Sequence, residues 1–272
     1  MSTFQTSDGL SLYFEDEGEG TPLLCLPGLT RTTQDFQYVT PHLPPCRLIK
    51  MDYRGRGRSE WDKTWANYAL PTEIRDVMQL MDHLSLSAVA ILGTSRGGLN
   101  AMGLAAYAAE RVLGAALNDV GPELEPAGLG GIMTYLGRRP AARTHAEAAA
   151  ALPHVLSGFN SVPPERWMQE ARTHFVETKE GLDITYDPRL RDAIEAGGEV
   201  PDLWPFYDAL AGKPLALIRG AGSDLLSAAT AQKMQERRPD MVYAEVPNRG
   251  HVPFLDEPEA LGAIRIWMEQ IK

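Results

Sequence analysis

Short apolar runs alternate with amphipathic ones through the first half of the chain. Leu23-Leu24-Cys25-Leu26, Arg47-Leu48-Ile49-Lys50-Met51, Ala88-Val89-Ala90-Ile91-Leu92 and the stretch 112–117 each close on or beside Gly, Pro or Asp and read as buried strands. Between them Ile74, Val77, Met78, Met81 and Leu84 recur at helical spacing, as do Leu99, Met102 and Ala106. Strands in alternation with helices predict an α/β fold, a mostly parallel sheet with helices on its faces. The alternation stops after Asn118-Asp119-Val120-Gly121-Pro122 and resumes at Pro214-Leu215-Ala216-Leu217-Ile218-Arg219. A further strand over 241–246 and a final helix carrying Leu261, Ile264, Met268 and Ile271 follow. Residues 121–213 far exceed a normal connection, so they must hold structure of their own. Ile132, Tyr135 and Leu136 share one helical face and Trp167, Ala171 and Phe175 another, with Pro-rich breaks at 163–164, 188, 201 and 205. The expectation is a core built from residues 1–120 and 214–272, with 121–213 inserted as a helical cap.

Composition narrows the function classes. The 272 residues are 44% hydrophobic and 23% charged, the usage of a folded globular protein. With 26 Lys+Arg against 36 Asp+Glu the net charge is −10, a field that repels phosphate backbones and anionic membranes. Nucleic acid and membrane are therefore not expected partners. Two cysteines, Cys25 and Cys46, are too few for a disulfide scaffold and read as small apolar core residues in a reducing compartment. The first residues lack the pattern of a signal peptide, and no apolar run approaches about 18 residues, so a cytoplasmic location is expected. H-E-x-x-H, C-x-x-C and Walker A patterns are absent, and neither a metal nor a cofactor is expected.

The chemistry centres on Gly93-Thr94-Ser95-Arg96-Gly97-Gly98, a G-x-S-x-G sequence between the strand 88–92 and the helix carrying Leu99 and Met102. A serine on such a turn is exposed at the strand's C-terminal edge, beside the free N–H groups of the helix that follows. A serine is a poor nucleophile without a general base and an acid that orients it. Both candidates lie downstream. Asp224 follows the strand 215–219, and His251 follows the strand 242–246 in Asn248-Arg249-Gly250-His251. The bland alternatives are an N-cap role for Asp224 and a surface-loop histidine at 251.

These residues, with Leu26-Pro27-Gly28-Leu29 and Asp52-Tyr53-Arg54-Gly55-Arg56-Gly57-Arg58-Ser59, make the chain resemble the α/β-hydrolase fold superfamily from its first strands to its last helix. The resemblance implies a Ser95, His251, Asp224 triad, with oxyanion-hole N–H groups from Leu29 and Arg96. In some relatives the acid stands where Asp119 lies here, so Asp119 is the alternative. Pro27 departs from the histidine many members carry before the loop glycine, which puts the anchoring of that loop in question. The resemblance gives the loop 52–59 a structural role near the active-site entrance.

Serine at position 95, rather than aspartate, argues against dehalogenase and epoxide hydrolase chemistry and points to acyl transfer from a small-molecule ester or lactone to water. Arg31 and the Arg96 side chain could bind a substrate carboxylate, the bland alternative being a salt-bridged arginine. Tyr135, Trp167 and Trp204 are candidate lining residues, with packing inside the cap as the plainer reading. A C–C bond hydrolase or cofactor-free oxygenase, and a slow-turnover binding protein, stay open as alternatives, and the oligomeric state is not legible in the sequence.

Overall fold

The strand alternation read from the sequence is realised as an eight-stranded sheet. A computed structural model describes residues 2–198 and 201–271; Met1, Glu199, Val200 and Lys272 lie outside the described residues. The strands are β1 (Ser2–Gln5), β2 (Ser11–Glu17), β3 (Pro22–Leu26), β4 (Arg47–Met51), β5 (Val89–Thr94), β6 (Val112–Asn118), β7 (Phe175–Thr178), β8 (Gly181–Ile184), β9 (Leu215–Gly220) and β10 (Val242–Val246). The main sheet has the order β1-β2-β4-β3-β5-β6-β9-β10, and β7 with β8 forms a separate antiparallel pair. β1 and β2 run antiparallel at one edge, and every pairing from β4 across to β10 is parallel.

The helices are α1 (Leu70–His83), α2 (Arg96–Tyr107), α3 (Pro126–Tyr135), α4 (His145–Val155), α5 (Pro164–His174), α6 (Leu190–Ala196), α7 (Trp204–Asp208), α8 (Ala228–Arg237) and α9 (Pro258–Gln270). Side chains alternate across a strand, so Leu24 and Leu26 enter one core with Ile74, Val77, Met102 and Met234. Leu23 and Cys25 enter the other with Leu92, Ile264 and Trp267. Helices thus cover both faces, which is why the central strands read as continuous apolar runs. On α2 the buried face runs through Ala101, Met102 and Leu104, whereas Ala106 is exposed. Cys25 is buried in β3; Cys46 is half-buried and lies just before β4 rather than within it.

The segment between β6 and β9 differs from the all-helical expectation. It holds α3 to α7, but Phe175 begins β7 instead of extending the apolar face of α5. Its last helix belongs to the main packing, since Tyr207 of α7 and the following Leu210 are fully buried in the core that contains Met102. The rest leans on the loops at the C-terminal ends of the strands. Arg166 of α5 pairs with Asp256, Gln37 donates to Thr173 at 2.8 Å, and Asn160 N–H donates to the Asn248 carbonyl at 3.0 Å.

Candidate active site

Ser95 occupies the turn between β5 and α2 with φ of +50°, a conformation costly for a residue with a Cβ and typical of functional turns. Close approach to β3 makes it possible: a Cβ added at Gly97 would overlap the Leu26 carbonyl. The Ser95 amide donates to the Asn118 carbonyl at 2.9 Å, which ties the turn to the end of β6. Its hydroxyl lies 2.9 Å from His251 Nε2. His251 comes from the loop after β10, so the two sequence candidates are brought into hydrogen-bond contact from 156 residues apart.

The acid is where the structure corrects the expectation. His251 Nδ1 lies 2.8 Å from Asp119 Oδ2, whereas the Asp224 carboxylate accepts a hydrogen bond from the Ser157 hydroxyl at 2.7 Å. Asp119 directly follows β6 with φ of +57°, a left-handed conformation that aspartate tolerates, and its side chain is fully buried. Burying a carboxylate is costly unless its oxygens are satisfied. Gly220 N–H donates to Oδ1 at 2.8 Å, and the Ser223 hydroxyl donates to Oδ2 at 2.6 Å. The loop after β9 therefore reaches the site one residue earlier than expected: it presents Ser223 as a donor, while Asp224 turns toward the inserted segment. Ser223 was not anticipated; a serine beside the loop aspartate was the available signal. Asn118 adds a brace, its amide donating to Thr94 Oγ1 and to the Pro253 carbonyl, each at 3.2 Å.

Among the described residues neither the Leu29 nor the Arg96 backbone N–H donates a hydrogen bond within the protein. The Arg96 amide opens α2, where the first N–H groups have no partner in the helix. Leu29 sits in the loop after β3, where the Arg31 N–H donates to the Gly28 carbonyl at 3.1 Å and Arg56 Nε donates to the Leu29 carbonyl at 2.9 Å. Arg56 and that turn anchor the loop that carries Pro27.

Neither arginine proposed for a substrate carboxylate has a free charge. Arg31 Nη1 pairs with Asp35 at 2.6 Å and approaches Glu170 of α5 at 4.0 Å; Arg96 Nε pairs with the buried Glu73 at 2.8 Å. Burial alone would raise the Glu170 carboxyl, but His174 and Arg31 outweigh it and hold its pKa down to about 2. Arg31, Asp35, Tyr38, Thr94, Glu170 and Val252 are among the residues enclosing a cavity of about 10 Å³, room for no more than about one water.

The aromatic candidates separate. Tyr135 remains 48% exposed, yet burial raises its phenol pKa, with Arg31 opposing and Asp224 reinforcing the shift. Trp167 is buried and packs edge-on against Phe159 and Phe254, 5.8 and 6.4 Å between ring centroids. Trp204 lies apart from these residues, donating from its indole to Glu123 at 2.9 Å and stacking under Arg237. Among the described residues no group of three or more His, Cys, Asp or Glu could hold a metal ion, and no helix is long and apolar enough to cross a membrane.

Known proteins agree with this architecture. The chain is 36% identical over 249 residues to the 3-hydroxybutyrate-oligomer hydrolase of Cupriavidus necator, covering 87% of this chain and 84% of that one. It is 26% identical to the 2-(acetamidomethylene)succinate hydrolase of Mesorhizobium japonicum, over 92% of this chain and 88% of the relative. Among solved structures, an alpha/beta hydrolase from Novosphingobium aromaticivorans superposes with a TM-score of 0.93 at 37% identity, covering 99% and 98% of the two chains. The relatives are hydrolases, and since the model of the alpha/beta hydrolase family matches residues 23–264, the chain belongs to that family.

Proposed function

We propose that, within this general hydrolase activity, the protein cleaves carboxylic esters through an acyl-serine intermediate, with short linear oligoesters of hydroxy acids as its substrate class. The observation that carries the reading is the continuous chain of hydrogen bonds Ser95, His251, Asp119, and the amides of Leu29 and Arg96, which find no partner among the described residues, support it. In acylation Ser95 Oγ attacks the ester carbonyl while His251 Nε2 takes its proton. Asp119 holds the imidazole in the tautomer that accepts at Nε2 and stabilises the imidazolium. The Leu29 and Arg96 amides receive the oxyanion, each such donor being worth about 3–4 kcal/mol. The imidazolium then protonates the departing alkoxide. Water, deprotonated by His251, attacks the acyl-serine and releases the acid, so ester and water become acid and alcohol.

The substrate class is supported by the similarity to the Cupriavidus necator enzyme and by the engaged state of Arg31 and Arg96, which favours a neutral ester linkage over an anionic group at the reacting centre. Residues from Glu123 to Leu203 are assigned the role of a cap, with Tyr135 as its substrate-facing residue and Trp167 as part of its own packing. The test is a burst assay with 4-nitrophenyl butyrate followed by hydrolysis of the linear dimer of 3-hydroxybutyrate. A burst and steady release from both, lost in Ser95→Ala, are expected. Release of 4-nitrophenol without dimer cleavage removes the substrate class, hydrolysis that survives Ser95→Ala removes the serine mechanism, and no release from either ester moves the reading to C–C cleavage, oxygenation or ligand binding.

A further inference from the structure

The two residues proposed to supply the oxyanion amides, Leu29 and Arg96, are tied to one carboxylate. Glu73, in the first turn of α1, is fully buried, as is Arg56. The Arg56 guanidinium donates through Nε to the Leu29 carbonyl at 2.9 Å, and its Nη2 lies 2.8 Å from Glu73 Oε1. From the opposite side Arg96 Nε donates to Glu73 Oε2 at 2.8 Å, an oxygen that also accepts from Asn100 Nδ2 at 3.2 Å. Burial would raise this carboxyl, but Arg96 and Arg56 overcome it and bring its pKa down to about 2. The carboxylate is thus charged throughout the working range.

An oxyanion hole works because its donors are aimed before charge develops. The Arg96 amide is on a helix start, but the Leu29 amide is on a loop that a strand end alone does not orient. The peptide plane before Leu29 is fixed by the Gly28 turn and the plane after it by Arg56. Arg56 in turn has its own position set by Glu73. Resting on the Ser95 reading above, we propose that Glu73 is a positioning residue for the oxyanion hole: one carboxylate, acting through Arg56 and Arg96, sets the spacing of the amides at 29 and 96.

The experiment uses the whole protein and compares Glu73→Gln with the parent on 4-nitrophenyl butyrate and against a butyl trifluoromethyl ketone, whose hemiketal oxyanion needs the same two donors. The expected result is a kcat roughly tenfold lower, KM within about twofold, and ketone affinity falling by the same factor as kcat. A variant that folds, by circular dichroism and thermal midpoint, yet keeps kcat and ketone affinity within about twofold of the parent overturns the proposal; so does a rise in KM that accounts for the whole loss. If Glu73→Gln does not fold, Arg96→Met, which leaves the Arg56–Glu73 pair and the amide at 96 in place, is held to the same expected and overturning results. Ser95→Ala is run alongside. Its loss of activity with a normal Glu73→Gln rejects only the positioning role, whereas its retention of activity rejects the serine mechanism as well.

Discussion

The Ser223 hydroxyl donates to Asp119 Oδ2 at 2.6 Å, the same oxygen that faces His251 Nδ1 at 2.8 Å. Asp119 is thereby held from the loop after β9 while it orients the histidine from the end of β6. Removing this hydroxyl in Ser223→Ala leaves Oδ2 with one donor fewer and a less determined direction. The expected outcome is a kcat lower by roughly tenfold, the worth of one hydrogen bond to a charged group. Steady-state kinetics of the variant on 4-nitrophenyl butyrate check this, and a kcat within about twofold of the parent would contradict the arrangement.

The two aspartates make opposite predictions. Asp119→Asn presents an amide to His251 and favours the wrong tautomer, so kcat/KM should fall by about 10⁴. Asp224→Asn, whose carboxylate accepts from Ser157 at 2.7 Å, should stay within about threefold of the parent. Measuring both on one ester decides between them, and the reverse ranking would return the acid to position 224.

Acid should loosen α5 from the core. Glu170 is held down to about 2 against an ordinary value of 4.5. A carboxyl depressed in the folded state contributes stability that is present above about 4.5 and is lost as pH falls toward 2. Denaturant unfolding between pH 6 and pH 2.5 should therefore show stability falling on the acid side, with a shallower slope in Glu170→Gln. Equal slopes in the two proteins would show that the contact with His174 and Arg31 carries no such linkage.

Trp204 was a candidate lining residue, but its indole bonds Glu123 and its ring lies under Arg237 and against Tyr207. Trp204→Ala should lower the thermal midpoint by a few degrees, corresponding to roughly 1–2 kcal/mol, and leave kcat/KM within about twofold. A large rise in KM would place it at the substrate after all.

What could be read from the chain depends on how local each signal is. Ser95 is legible because the strand, the turn glycines and the helix are contiguous, and His251 because a Gly-His pair follows a strand. The choice between Asp119 and Asp224 is set by where two loops meet, and a one-residue difference in the loop after β9 exchanges carboxylate for hydroxyl. The run Asn118-Asp119 after an apolar strand keeps in view the residue that contacts His251 without deciding for it. The hairpin of β7 and β8 was hidden because Phe175 satisfies the periodicity of α5, although Phe175-Val176-Glu177-Thr178 has the side-chain bulk of a strand. Glu73 looked like one more acidic residue of an amphipathic helix, since its two arginine partners come from the loop after β4 and from the start of α2.

The segment over the site is seated on the core at Gly158, where an added Cβ would collide with the backbones of Gly222 and Gly250. That joint is main chain against main chain, between the stretch following α4 and the loops that carry Ser223 and His251. The side-chain contacts of α5 with Asp256, Gln37 and Arg31 add to this joint. A side chain introduced at Gly158, where φ is +77° and the Gly222 carbonyl leaves no room, should therefore shift the whole segment against the loops after β9 and β10 rather than disturb one local contact.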